Sequence, residues 1–276
     1  MKKPISLLRI NILVITVFIF FSFTSCSSLQ FQNNENVTEQ DKYNLEELSN
    51  YGEWININKY GSVWRPFVVN DWMPFNYGHW SYADGNWTWI SYEPFGWIVY
   101  HYGNWYDDPY YGWVWIPSDD SWSPARVLWM DYDDYIGWAP MPLSGIEYGN
   151  PWELNGKRHW LVVRHKDFTK DNIRNYRISA PVRNETGDRN ITKNPPGKSV
   201  IEKYAGNLVN EVKIKHETVK LPGTKIKRMK LPPQENKRIE QNSSQVRKEV
   251  LISREEYHKK HKEGGNQETK KEKRNK

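Results

Sequence analysis

Cysteine is nearly absent from this sequence of 276 residues, with Cys26 as its single example. That excludes an intramolecular disulfide and any zinc or catalytic site built on paired cysteines. Tryptophan is missing from the last third, since all 15 lie between Trp54 and Trp160. One core of modest size is therefore expected, in the first part of the chain. Positive charge is scarce in the middle, where residues 71–140 hold one Arg against 10 Asp and Glu. Long apolar runs are lacking too: the one candidate, Ile12 to Phe23, has about a dozen residues and is short for a bilayer-spanning helix. Catalytic signatures do not appear either. There is no Gly-x-Ser-x-Gly, His-Glu-x-x-His or Ser-x-x-Lys, and no glycine run opens a helix to cradle phosphate.

What the N-terminus does contain is an export address. Lys2, Lys3 and Arg9 precede the apolar run, which ends in Phe23-Thr24-Ser25-Cys26. This resembles the lipobox of bacterial lipoproteins, in which the cysteine is lipidated and becomes the mature N-terminus. Residues 1–25 are then the signal peptide and residues 26–44 a polar tether. Several acyl chains on Cys26 would hold the protein to a membrane. Ser27 follows, where Asp would suggest retention at the inner membrane, so the outer membrane is the expected address.

From Tyr51 the apolar period is two. Trp80 and Tyr82, Trp87 and Trp89, Trp113 and Trp115, and Val127 and Trp129 are i, i+2 pairs that share one face of an extended strand. Asp84-Gly85 is a hairpin turn signal, and Glu93-Pro94-Phe95-Gly96, Asp107-Asp108-Pro109 and Asp131 to Asp134 carry turn chemistry. A period of about 25 residues relates Tyr77-Gly-His-Trp to Tyr102-Gly-Asn-Trp, one hairpin per unit. Four Trp-x-Pro triplets, beginning at Trp64, Trp72, Trp122 and Trp138, read as devices that end strands. Residues 45–183 are thus expected to be all-β, an antiparallel meander of about six to eight short strands forming a small sandwich or open barrel. An outer-membrane barrel is not expected, because Gly, Pro and Asp interrupt before a strand reaches about nine residues.

Tyr51-Gly-x-Trp, Val63-Trp-Arg-Pro, Ser91-Tyr-Glu-Pro-Phe-Gly-Trp, Val99-Tyr-His-Tyr-Gly-Asn-Trp, Tyr111-Gly-Trp-Val-Trp and Tyr135-x-Gly-Trp-Ala-Pro resemble a family of bacterial exported and lipidated proteins. That family has a Trp/Tyr/Gly-rich domain of unknown function. The resemblance extends over roughly residues 45–200 and implies no reaction.

Candidate chemistry is sparse. The acidic clusters Asp107-Asp108, Asp119-Asp120 and Asp131-x-Asp133-Asp134 fall at turns, where Asp usually bonds the backbone, and none has the spacing of a calcium loop. No metal or cofactor is expected. A hydrolase would draw on His101, Glu93 or the acidic clusters, but His101 reads as a satisfied histidine among stacked rings, and Glu93 with Arg65 as a structural ion pair. Exposed rings on a strand face could instead stack on a sugar, and Trp80, Trp87, Trp89, Trp97, Trp113 and Trp115 are the candidates for such a platform. Residues 184–224 are expected to be extended with some edge strands. Residues 225–276 carry 17 Lys and Arg against 8 Asp and Glu and read as a disordered or partly helical basic arm. Its partner would be an anionic envelope polymer, a glycan or a membrane surface, and not nucleic acid. The expectation is a lipidated envelope protein, not an enzyme, with a binding or structural role. The alternatives are a polysaccharide- or peptidoglycan-binding module and an envelope hydrolase.

Overall fold

The computed structural model describes residues 46–118, 121–144, 159–178, 190–221 and 224–261. Cys26 with the tether, and Asp119-Asp120, lie outside the described residues. One helical turn, α1 (Glu46–Ser49), precedes β1 (Gly52–Ile57), β2 (Gly61–Pro66), β3 (Gly78–Ala83) and β4 (Asn86–Ser91). A second turn, α2 (Gly96–Val99), leads to β5 (Asn104–Asp108), β6 (Gly112–Ile116), β7 (Val127–Tyr132), β8 (Tyr135–Pro140), β9 (Leu161–Arg164) and β10 (Asn190–Thr192). The chain continues through α3 (Lys198–Ala205), β11 (Lys215–Leu221), β12 (Thr224–Lys230), α4 (Pro233–Val250) and a last helix α5 over residues 254–261.

The protein is mostly β, and every ladder between these strands is antiparallel. The strands form two four-stranded sheets, β1-β2-β6-β5 and β10-β7-β8-β9, with β3-β4 and β11-β12 as separate hairpins. Nine strands fall within residues 45–183, one more than the upper expectation, and the path is not a simple meander. β2 skips the β3-β4 hairpin to meet β6 through the single pairing Trp64↔Trp115. Among the described residues no sheet closes into a barrel.

One device is repeated in four hairpins. A tryptophan on the first strand faces a tryptophan on the second: Trp54↔Trp64, Trp80↔Trp89, Trp105↔Trp115 and Trp129↔Trp138. Directly opposed residues lie on the same face, so each pair presents two indoles to one side. Rings from different hairpins then meet, Trp80 with Trp129 at 4.6 Å and with Trp138 at 5.6 Å, and Trp64 with Trp105 at 6.3 Å. Each such ring buries roughly 150 to 250 Å², or about 4 to 6 kcal/mol of transfer free energy before entropy is counted. A core short of aliphatics is built this way.

The glycine of Tyr-Gly-x-Trp has a packing cause. A Cβ on Gly52, Gly78 or Gly103 would stand 2.3 to 2.4 Å from the carbonyl oxygen of Arg65, Ile90 or Ile116. It would also meet the indole of Trp64, Trp89 or Trp115, the second tryptophan of the same hairpin. The motif at Tyr51 is therefore a third copy of the repeat first visible at Tyr77 and Tyr102. At the hairpin tip Asp84 and Gly85 have φ of 47° and 78°, the left-handed pair that a two-residue turn requires.

Two of the Trp-x-Pro triplets end strands, at Pro66 of β2 and Pro140 of β8. The other two sit in loops, where Pro124 offers its carbonyl to the Trp89 amide at 3.1 Å.

Much of the basic arm is folded onto the domain. Glu235, Ile239, Val246 and Val250 fall on one stripe of α4, with Glu235, Val246 and Val250 buried, as the 3.6-residue period demands. Pro233 opens the helix at a position where no amide donor is needed. Beyond it, the Val69 amide bonds to the Val250 carbonyl at 3.1 Å, and the Ile252 amide bonds to that of Phe67 at 3.1 Å. Tyr257 of α5 is buried against Phe67 at 5.2 Å. Four apolar side chains in a charged segment are too few to register as composition, but they suffice to strap it down.

Candidate functional site

Four of the six rings expected to form a stacking platform are inside the core. Trp80, Trp87, Trp89 and Trp115 are each at most 2% exposed. Trp97 is half-buried under the Arg228 guanidinium, 3.6 Å from its ring. Trp113 is half-buried edge-on to His159 at 5.4 Å. Among the described residues the large apolar side chains left exposed are Tyr110, Tyr176, Ile191, Tyr204 and Leu208, and none is a tryptophan. The alternation of the strands creates two faces, and the other hairpins cover the face that carries the paired indoles.

Glu93 and His101 line one cavity of about 210 Å³ beside Arg247 of α4. The Glu93 carboxylate accepts hydrogen bonds from Trp72 Nε1 at 2.6 Å, from Ser91 Oγ at 3.3 Å and from the Tyr100 hydroxyl. Burial pushes its pKa up to about 7 against the pull of these three donors. Arg65 is not its partner: the guanidinium pairs with Glu53, directly opposite in the β1-β2 register. The expected Glu93–Arg65 pair is thus corrected, because an arginine on a strand reaches its cross-strand neighbour before a loop residue.

His101 has the surroundings expected of a structural histidine. Its Nδ1–H donates to the Ser123 carbonyl at 2.8 Å, and its ring lies flat on Trp122 at 5.4 Å. Burial holds its pKa down to about 4, so the ring is neutral. Ser91, one of the hydroxyls lining this cavity, donates to the Glu93 carboxylate at 3.3 Å and accepts from the Glu93 amide at 3.0 Å.

A second polar centre could not be read from the sequence, because it joins residues 156 positions apart. His79 on β3 is fully buried, with Nε2 2.6 Å from Glu235 of α4 and Nδ1 2.8 Å from the Tyr92 hydroxyl. A carboxylate can only accept, so Nε2 carries the proton and the Tyr92 hydroxyl donates to Nδ1. Burial lowers the His79 pKa, which keeps the ring neutral. Burial opposes ionisation of Glu235, yet the His79 hydrogen bond and the charges around it bring its pKa below the usual value. Arg238 Nη1 is 3.2 Å from Glu235, and the same guanidinium reaches Asp171 at 2.5 Å. Glu235 and Arg238 line one wall of a groove of about 310 Å³ between β3-β4, the loop 207–212 and the start of α4, with His79 buried behind them. The sequence signal for this centre was slight, a buried-phase position at Glu235 on the α4 stripe.

The described acidic turns are engaged locally. Asp108 accepts the amides of Tyr110 and Tyr111, both at 2.9 Å, as turn aspartates do. Asp107 faces His159 at 3.2 Å, and Asp131 faces His165 at 2.9 Å. Among the described residues no three His, Cys, Asp or Glu side chains stand close enough to hold a metal ion. No described helix is long and apolar enough to cross a membrane. The β11-β12 hairpin carries opposed lysines, Lys215 across from Lys230 and Lys220 across from Lys225. All four are exposed, and like charges directly across a ladder repel.

Residues 45–145 match the model of a family of unknown function (DUF6600). The matched segment contains all four tryptophan-paired hairpins and Glu93. Comparison with curated proteins and with solved structures gives no match.

Proposed function

We propose that this protein is a lipid-anchored component of the bacterial cell envelope, acting without catalysis as a binding or supporting element. The observation that carries this reading is where the chemistry-bearing side chains are spent. Glu93 is held by Trp72, Ser91 and Tyr100, and His101 by Ser123 and Trp122. A hydrolase needs a nucleophile bonded to its base and a place for developing charge. Ser91 instead engages Glu93 in a local turn. Glu93 and His101 serve as fasteners between the Trp72 loop, α2 and the segment before β7.

The anchor is Cys26, and the address is the outer membrane, supported by the motif Phe23-Thr24-Ser25-Cys26 followed by Ser27. The opposed lysines of β11-β12 suit an anionic envelope polymer, because a polyanion would relieve their mutual repulsion. The alternative function, recognition of a polysaccharide or of peptidoglycan, needs a polar concave site in place of a tryptophan row.

Replacing Cys26 tests the anchor. Labelled palmitate should enter the parent protein, which should sediment with outer membranes. Cys26→Ala should take no label and leave that fraction. A variant that stays membrane-bound and labelled would remove the lipoprotein reading.

A further inference from the structure

The groove beside the His79–Glu235 pair combines three properties that the fold itself does not require. Its rim carries Asn207, Asn210 and Gln234, all exposed. Their side chains have no hydrogen-bond partner among the described residues. Each amide both donates and accepts, so the rim can match a ligand whose groups do the same. Its charges are already mutually compensated. Glu235 is engaged by His79 and Arg238, and Arg238 also by Asp171. A ligand therefore meets no unpaired charge there. Its apolar lining is Trp80, Trp87, Val209 and Val212 within, the half-buried Tyr82 ring, one face of which carries the Lys198 ammonium at 5.3 Å, and Leu208, 83% exposed, at the lip. An exposed leucine at the lip of a groove of mixed polar and apolar lining gains by being covered.

We propose that this groove binds an uncharged saccharide, with Asn207, Asn210 and Gln234 addressing its hydroxyl or acetamido groups and Tyr82 and Leu208 its C–H face. Hydroxyl groups around an apolar ring face fit amides around a small apolar patch. An anion would find no free cation among the lining residues, since Arg238 is spent twice. A lipid surface would need a broad exposed apolar face, whereas Leu208 is the one large apolar lining residue that stands well exposed. The volume of about 310 Å³ lies at the lower end of small-molecule sites, roughly 300 to 1,000 Å³, which suits one or two sugar units of a longer chain.

This deepens the glycan alternative above and is independent of the lipid anchor. The full chain in detergent is titrated calorimetrically with chitotriose, cellotriose and maltotriose, three neutral probes with and without acetamido groups. At least one should bind saturably. Asn207→Ala combined with Asn210→Ala should weaken that binding about tenfold or more, as expected for lost hydrogen bonds. Leu208→Asp should weaken it as well. The melting temperature should not move, since all three side chains are exposed. Cys26→Ala should bind sugar as the parent does, so a failed anchor and a failed groove are told apart. Absence of saturable binding by all three probes overturns the proposal, as does a double variant that binds like the parent.

Discussion

Glu93→Gln becomes more stable relative to the parent protein as pH rises from 4.5 to 7, by about 3 kcal/mol, while His101→Gln shows the opposite trend between pH 4 and 6.5. The signs follow from the two shifts. The Glu93 pKa is raised from 4.5 in the unfolded chain to about 7 in the folded one. Across that window the native state holds the proton that the unfolded state has lost, so parent stability falls as pH rises. Gln cannot titrate, and the variant escapes the fall. The His101 pKa drops from 6.5 to about 4 on folding. Here the unfolded state binds the extra proton, and parent stability rises with pH until His101 is neutral in both states. Gln forfeits that rise.

In the parent the two contributions oppose each other over the shared range, so its own pH profile conceals both. Urea midpoints of the three proteins at several pH values reveal them, because every other titrating group cancels in the differences. Difference profiles that stay flat with pH would show that burial does not shift the two groups as described.

The second large effect separates two reasons for glycine. Gly78→Ala should cost about 3 kcal/mol, at the upper end of overpacking penalties, because its Cβ would strike the Ile90 carbonyl at 2.4 Å and the Trp89 indole at 2.6 Å. A backbone oxygen inside a ladder has nowhere to go. Gly85→Ala meets no atom within 4 Å but sits at φ +78°, so its cost should be about 1 kcal/mol of left-handed strain. Denaturant melts of the two variants check the ratio. Equal losses would mean that backbone conformation, and not the indole lying across the strand, explains the Tyr-Gly-x-Trp motif.

Cross-strand tryptophans account for much of what was and was not legible in advance. The i, i+2 pattern around Trp80 and Trp87 predicts strands, and Asp84-Gly85 predicts the turn between them, because both signals are local. Which face of a hairpin ends up covered is a different matter. Trp80 and Trp113 look alike in the sequence, yet Trp80 meets Trp89, Trp129 and Trp138 while Trp113 lies half-buried beside His159. A platform of rings was a fair expectation from alternation alone. Burial by the other hairpins removes most of it. The partner of Arg65 follows the same rule, since Glu53 is chosen by register and Glu93 was merely close in chemical type.

The sequence alone determined the strand grammar, the turn at Asp84-Gly85, the concentration of tryptophan before residue 161 and the basic character of the C-terminal segment. Those properties depend on backbone periodicity, turn conformation and composition, which act over a few residues. Only the tertiary structure decided that β2 pairs with β6 across an intervening hairpin. It also decided that α4 straps the domain, and that His79 finds Glu235 at the edge of a groove. Those are meetings of residues far apart in the chain, and their free energy comes from burial and charge compensation that no local pattern encodes.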